Sequence, residues 1–137
     1  MTQSSDFDTQ QSIPQTDEQA DLPQPNQRGE YSRTSHRYWE VVDSDPNGLN
    51  CRMGPHSIEE IEDPGSKVHL NIGSWPVVGT LKGGQNFEIY LGPSGLGVLY
   101  DVQHKPWFFV EKSQGTGGPS NCFVRARSSL VKPIQPN

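Results

Sequence analysis

Long apolar runs, clustered histidines and closely spaced cysteines are all missing from this chain, and each absence removes a class of protein. No run approaches the roughly 20 apolar residues that span a bilayer as a helix. The two cysteines, Cys51 and Cys122, show no Cys-x-x-Cys spacing, and the four histidines (His36, His56, His69 and His104) never fall three or four apart. Those gaps disfavour the usual zinc frameworks. The best ligand trio on offer, His56 with Glu59 and Glu60, reads better as solvated loop polarity. No serine sits in a nucleophile elbow, and no glycine-rich turn ends as a phosphate loop does. Catalysis, metal and cofactor are therefore not expected. Bases are also scarce, 11 Lys and Arg against 16 Asp and Glu. A formal charge of −5 disfavours general binding to nucleic acid or to anionic membranes. The opening MTQSSDFDTQ is acidic and polar where a signal peptide is basic and then apolar, which leads to the expectation of a cytoplasmic protein.

What is present is polar and rich in turn residues: 31% apolar, mean hydropathy −0.73, with 14 Gly and 12 Pro in 137 residues. The composition changes near Tyr38. Residues 1–37 hold seven Gln and six scattered apolar side chains with no helical or strand period. Such a segment buries too little to offset an ordering cost of roughly 1–2 kcal/mol per residue. Residues 1–37 read as a disordered polar tail, either a solvated leader or a short docking segment, and residues 38–137 as one domain.

The domain reads as β-prone runs separated by Gly, Pro, Asn and Asp. They are Trp39–Asp43, Leu49–Met53, Val77–Leu81, Asn86–Leu91, Gly97–Val102, Trp107–Lys112, Cys122–Ala126 and Leu130–Ile134. Turns such as Asp45-Pro46-Asn47-Gly48 supply the positive-φ positions that hairpins need. One helical signal interrupts the pattern: Ser57 and Glu60 have capping-box spacing, and Pro64-Gly65 ends the run, so Ile58 and Ile61 should pin a single turn to the body. The expected fold class is all-β, a small barrel of five or six short strands with a long inserted loop.

Four blocks carry a resemblance: Leu49-Asn50-Cys51-Arg52-Met53-Gly54-Pro55, Pro76-Val77-Val78-Gly79-Thr80-Leu81-Lys82-Gly83-Gly84-Gln85, Pro106-Trp107-Phe108-Phe109-Val110, and Cys122-Phe123-Val124-Arg125-Ala126. In this order they resemble the bacterial SH3 (SH3b) family, in its cyanobacterial form, across residues 38–137. The resemblance implies an SH3-like barrel and a binding module, in many exported relatives one that binds the cell wall. Leu49 and Cys51 should share one strand face, with Asn50 and Arg52 on the other. Phe108 and Val110 should be core, leaving Trp107 and Phe109 on the opposite face. The chain differs from the family in carrying Ile58 to Pro76 where a few residues suffice.

Three features bear on function. Cys51 and Cys122 read as two buried free thiols, given the cytoplasmic expectation, with a disulfide or redox switch as the alternative. The large rings are too many for one small core, so Trp75, Tyr100 and Trp107 form either closed barrel ends or a surface groove for a peptide. Residues 40–63 contain seven acids and one base, whereas 112–137 contain four bases and no acid. Arg125 and Arg127 then either pair internally or face an anionic partner. The leading expectation is a non-catalytic adaptor or accessory module that captures a peptide or loop of a protein partner through Trp75, Tyr100 and Trp107, oriented by Arg125 and Arg127. The alternatives are a wall- or glycan-binding module that recognises peptidoglycan, and a redox-responsive structural protein using Cys51 and Cys122.

Overall fold

The computed structural model describes residues 22–115 and 118–135. Eight strands form: β1 (Tyr38–Val41), β2 (Leu49–Arg52), β3 (Val77–Leu81), β4 (Asn86–Ile89), β5 (Val98–Tyr100), β6 (Pro106–Ser113), β7 (Cys122–Arg125) and β8 (Val131–Pro133). Each lies within or almost within one of the eight β-prone runs, so the expected five or six strands become eight. All pair antiparallel in a single sheet of order β3-β2-β7-β6-β4-β1-β8, with β5 added to β6. The sheet is open: its end strands β3 and β8 are not paired with each other among the described residues. The long β6 organises it. One edge of β6 pairs with β7, and the other pairs first with β5 and then with β4.

Turn chemistry sets the register. Gly48 closes the turn between β1 and β2 at φ +88, and its N–H donates to Asp45 O at 2.9 Å. A Cβ there would stand 2.9 Å from Leu81 O, so both the conformation and the space call for glycine.

Alternation along the strands divides the buried side chains into two cores. Leu49, Cys51, Phe108 and Val110 belong to the first, together with Trp39, Ile89 and Val124. Asn50 is exposed and Arg52 half-buried, as the face assignment required. The opposite face of β6 is not a surface. Trp107 and Phe109 are buried there in a second core with Ile61, Ile72, Trp75 and Phe123. Five consecutive residues of β6, Pro106 to Val110, are therefore buried, the pattern of a strand covered on both sides.

The covering layer is the segment between β2 and β3. It contains helix α1 (Ile58–Glu62) and a 3-10 turn at Ile72–Ser74. Ser57 caps α1 by accepting the Glu60 N–H at 3.1 Å. Ile61 is buried and Ile58 packs beside it, so the turn is pinned as expected. Each fully buried aliphatic side chain of this kind contributes about 1.5–3 kcal/mol.

Two expectations are corrected here. The expectation of a disordered tail over residues 1–37 does not hold for residues 22–37. The first 21 residues lie outside the described residues, but Tyr31 is 3% exposed and packs its ring 4.9 Å from Trp39. The Tyr31 N–H donates to Ala126 O at 2.9 Å, and the Gly97 N–H donates to Thr34 O at 2.8 Å. Residues 22–37 thus run along the body as part of it. The cysteines are not free either: Cys51 and Cys122 form a disulfide across β2 and β7, with Cα atoms 5.3 Å apart. The free-thiol reading rested on cellular address, while pairing depends on strand adjacency, which the fold supplies.

Candidate functional site

Asp101 follows β5 directly and opens a tight turn leading into β6. Its Oδ1 accepts the backbone N–H groups of Gln103 (2.8 Å) and Lys105 (2.9 Å), and its Oδ2 accepts the Trp107 indole N–H at 2.9 Å. His104 completes the turn at φ +62, a left-handed position open only to a minority of non-glycine residues. Among the described residues Asp101 is the only buried polar or charged side chain. Burial by itself would raise its pKa. The Lys105 N–H, the Trp107 indole, the Gln103 N–H and the positive charge of Arg125 outweigh that, and the carboxyl is held below its ordinary value.

The fixed indole is a platform. The Arg125 guanidinium carbon lies 5.4 Å from the Trp107 ring centroid, within range of a cation–π contact. Arg125 ends β7, opposite Trp107 in the β6–β7 register, so strand pairing delivers the cation to the ring. Its Nη2 meets Glu30 Oε2 at 3.4 Å, and its buried Nε has no hydrogen-bond partner among the described residues. Burial and the neighbouring charge of Arg127 lower the Arg125 pKa, against the opposing pull of Glu30 and Asp101.

Asp101, Trp107 and Arg125 line a cleft of about 330 Å³, which Arg52, Lys105 and the acids Asp43 and Asp45 also line. Arg52 is positioned by an Nη1–H bond to Trp75 O at 2.9 Å. The cleft is thus a polar concavity lined by three cations and by two carboxylates from the β1–β2 turn.

The expected aromatic groove is corrected by burial. Trp75 is 8% exposed and Trp107 is 4% exposed, both in the second core: Trp107 stands on the face of β6 that the segment between β2 and β3 covers, and Trp75 belongs to that covering segment, directly after the 3-10 turn. Tyr100 is 37% exposed on β5, opposite Pro106, but does not line the cleft. Arg125 is central. Arg127 lies beyond the end of β7, where its backbone bridges to Glu30, and it does not line the cleft. His56 sits against Trp75, ring to ring at 5.6 Å, with Nδ1 at 3.6 Å from Glu60. Among the described residues no group of three or more His, Cys, Asp and Glu is placed to hold a metal, and no helix is long and apolar enough to cross a membrane.

Sequence reasoning missed Asp101, Lys105 and Glu30. Asp101 fell inside the β-prone run Gly97–Val102, which hid the Asx turn it opens after the strand ends at Tyr100. Comparison with protein-family models, with curated proteins and with solved structures gave no match.

Proposed function

We propose that this chain is a non-catalytic interaction module, of the SH3-like barrel type that the four sequence blocks resemble, which captures a segment of a protein partner in the cleft beside Trp107. The observation that carries this reading is Arg125, a half-buried cation stacked on a ring that Asp101 holds in place, with a buried Nε left unpartnered among the described residues. Preorganising a cation costs desolvation, and a partner anion recovers it. Relative to the sequence reading, the anchor moves from exposed rings to a cation on a buried ring. Trp75 and Trp107 become supports rather than contact surfaces. Tyr100 and Arg127 belong to the periphery.

A second reading, a wall- or glycan-binding module, is favoured by the Cys51–Cys122 disulfide. Such bonds persist in oxidising compartments, so the bonded pair shifts the proposed address away from the cytoplasm. A protein partner is compatible with either address.

The test is affinity capture from native lysate with the wild-type chain and with Arg125→Gln, run beside sedimentation on purified peptidoglycan. Proteins retained by wild type and lost by the variant support the first reading. Co-sedimentation with peptidoglycan and an empty capture would replace it with the second.

A further inference from the structure

Three cations from three separate parts of the chain converge on the cleft: Arg52 at the end of β2, Lys105 in the turn before β6, and Arg125 at the end of β7. Little in the fold neutralises them. Arg52 donates to a carbonyl and forms no ion pair among the described residues, and neither does Lys105. Arg125 meets Glu30 at 3.4 Å, and Glu30 is shared with Arg28 at 3.5 Å. Asp101, the buried acid of the lining, has both oxygens occupied by three N–H donors.

The remaining acids restrict the ligand. Asp43 and Asp45 line the same cleft, and each uses one oxygen to accept a backbone N–H of its own turn, from Asp45 at 3.0 Å and from Asn47 at 2.9 Å. The turn holds these carboxylates at the cleft whether or not a ligand is present. A phosphate group, carrying about −1.5 to −2 charges, would face them with nearly twice the repulsion felt by a carboxylate. A base beside the ligand's acid would turn the same two carboxylates into partners. The volume of about 330 Å³ lies at the lower end of the range for bound small molecules, enough for a few residues rather than one ion.

We infer that the cleft recognises an extended mixed-charge peptide segment, its side-chain carboxylate on Arg125 and a flanking base toward Asp43 and Asp45. The inference rests on the cleft being the partner site, and it adds the chemistry of what enters.

The experiment uses the full chain labelled with ¹⁵N and follows the Trp107 indole N–H, which the Asp101 hydrogen bond places in the cleft wall. Three blocked peptides are titrated: acetyl-Gly-Lys-Gly-Glu-Gly-amide, the same peptide with Gln for Glu, and the same peptide with phosphoserine for Glu. The Glu peptide should shift the signal saturably, more weakly at physiological than at low salt. The Gln peptide should bind about tenfold more weakly or worse, the loss of one charge-assisted hydrogen bond. Arg125→Gln should abolish the response while the rest of the spectrum reports an intact fold. Equal binding of the Gln peptide would overturn the carboxylate and leave the cleft as a peptide site. Tighter binding of the phosphoserine peptide would overturn the preference for a single charge. No response to any peptide, with partner capture still lost in Arg125→Gln, would overturn the ligand class alone. No response together with capture indifferent to Arg125 would overturn the cleft reading as well.

Discussion

The carboxylate of Asp101 and the indole of Trp107, six residues apart, are bonded side chain to side chain at 2.9 Å. That bond fixes the ring on which Arg125 rests. It also ties the turn before β6 to the second core, because the same carboxylate holds the Gln103 and Lys105 N–H groups. Asp101→Asn keeps the shape but cannot accept on both sides. A buried donor is then left unmet, which costs about 1–3 kcal/mol, measurable as a lowered midpoint in urea denaturation.

The same residue gives a pH signature. Its folded pKa lies below the ordinary value of 3.8. A depressed acid stabilises the fold above its unfolded pKa and stops doing so as pH falls through the folded value. Wild-type stability should therefore fall as pH drops below about 4, and the Asp101→Asn chain should show a shallower decline over that window.

The disulfide joins β2 to β7, strands that share one register pair, Arg52 opposite Phe123. It therefore fastens the two strands that carry Arg52 and Arg125. With both cysteines fully buried, the native chain should show no titratable thiol until it is denatured and reduced. A Cys51→Ala/Cys122→Ala chain should lose about 4 kcal/mol, the chain-entropy value for a closed loop of this length. Two reactive thiols in the denatured, unreduced protein would contradict the bond.

The segment covering β6 makes a sharp contrast between sites. Ile72 is fully buried in the second core, and Val78 on the end strand β3 is 56% exposed. Ile72→Ala should cost about 2–5 kcal/mol. Val78→Ala should stay within about 0.5 kcal/mol of wild type. Equal effects at the two sites would mean that the segment does not pack as described.

Tyr31 tests the segment that precedes β1. Its ring lies against Trp39 and its hydroxyl donates to Val131 O at 3.3 Å. Tyr31→Ala should cost about 3–5 kcal/mol, as truncation of a buried aromatic does. Tyr31→Phe should cost about 1 kcal/mol, the worth of one hydrogen bond. A Tyr31→Ala chain as stable as wild type would return residues 22–37 to the tail.

The strands were legible because each short run is flanked by residues that turn the chain, and the period of two placed Leu49 and Cys51 inward without any tertiary information. The excess of large rings over one core was also legible. Its resolution was not, because the second core is assembled from Ile61, Ile72 and Trp75, residues too far apart in sequence to form any period. Tyr31 escaped for a related reason: a single aromatic in a Gln-rich stretch carries no pattern, and only the docked Trp39 and Phe108 rings give it a place. Arg125 was singled out from charge alone. What the cation does depends on the β6–β7 register that sets it opposite Trp107, and register is a property of the assembled sheet.

Capture of partners at the cleft beside Trp107 can be read out by crosslinking. A photoreactive p-benzoylphenylalanine is placed at Gln103, an exposed residue of the cleft lining, or at Val78, an exposed residue of the end strand β3, which does not line the cleft. A partner should be crosslinked from position 103 and not from 78, with the product lost when Arg125→Gln is added. Crosslinking from 78 alone, or from 103 undiminished by Arg125→Gln, would contradict it.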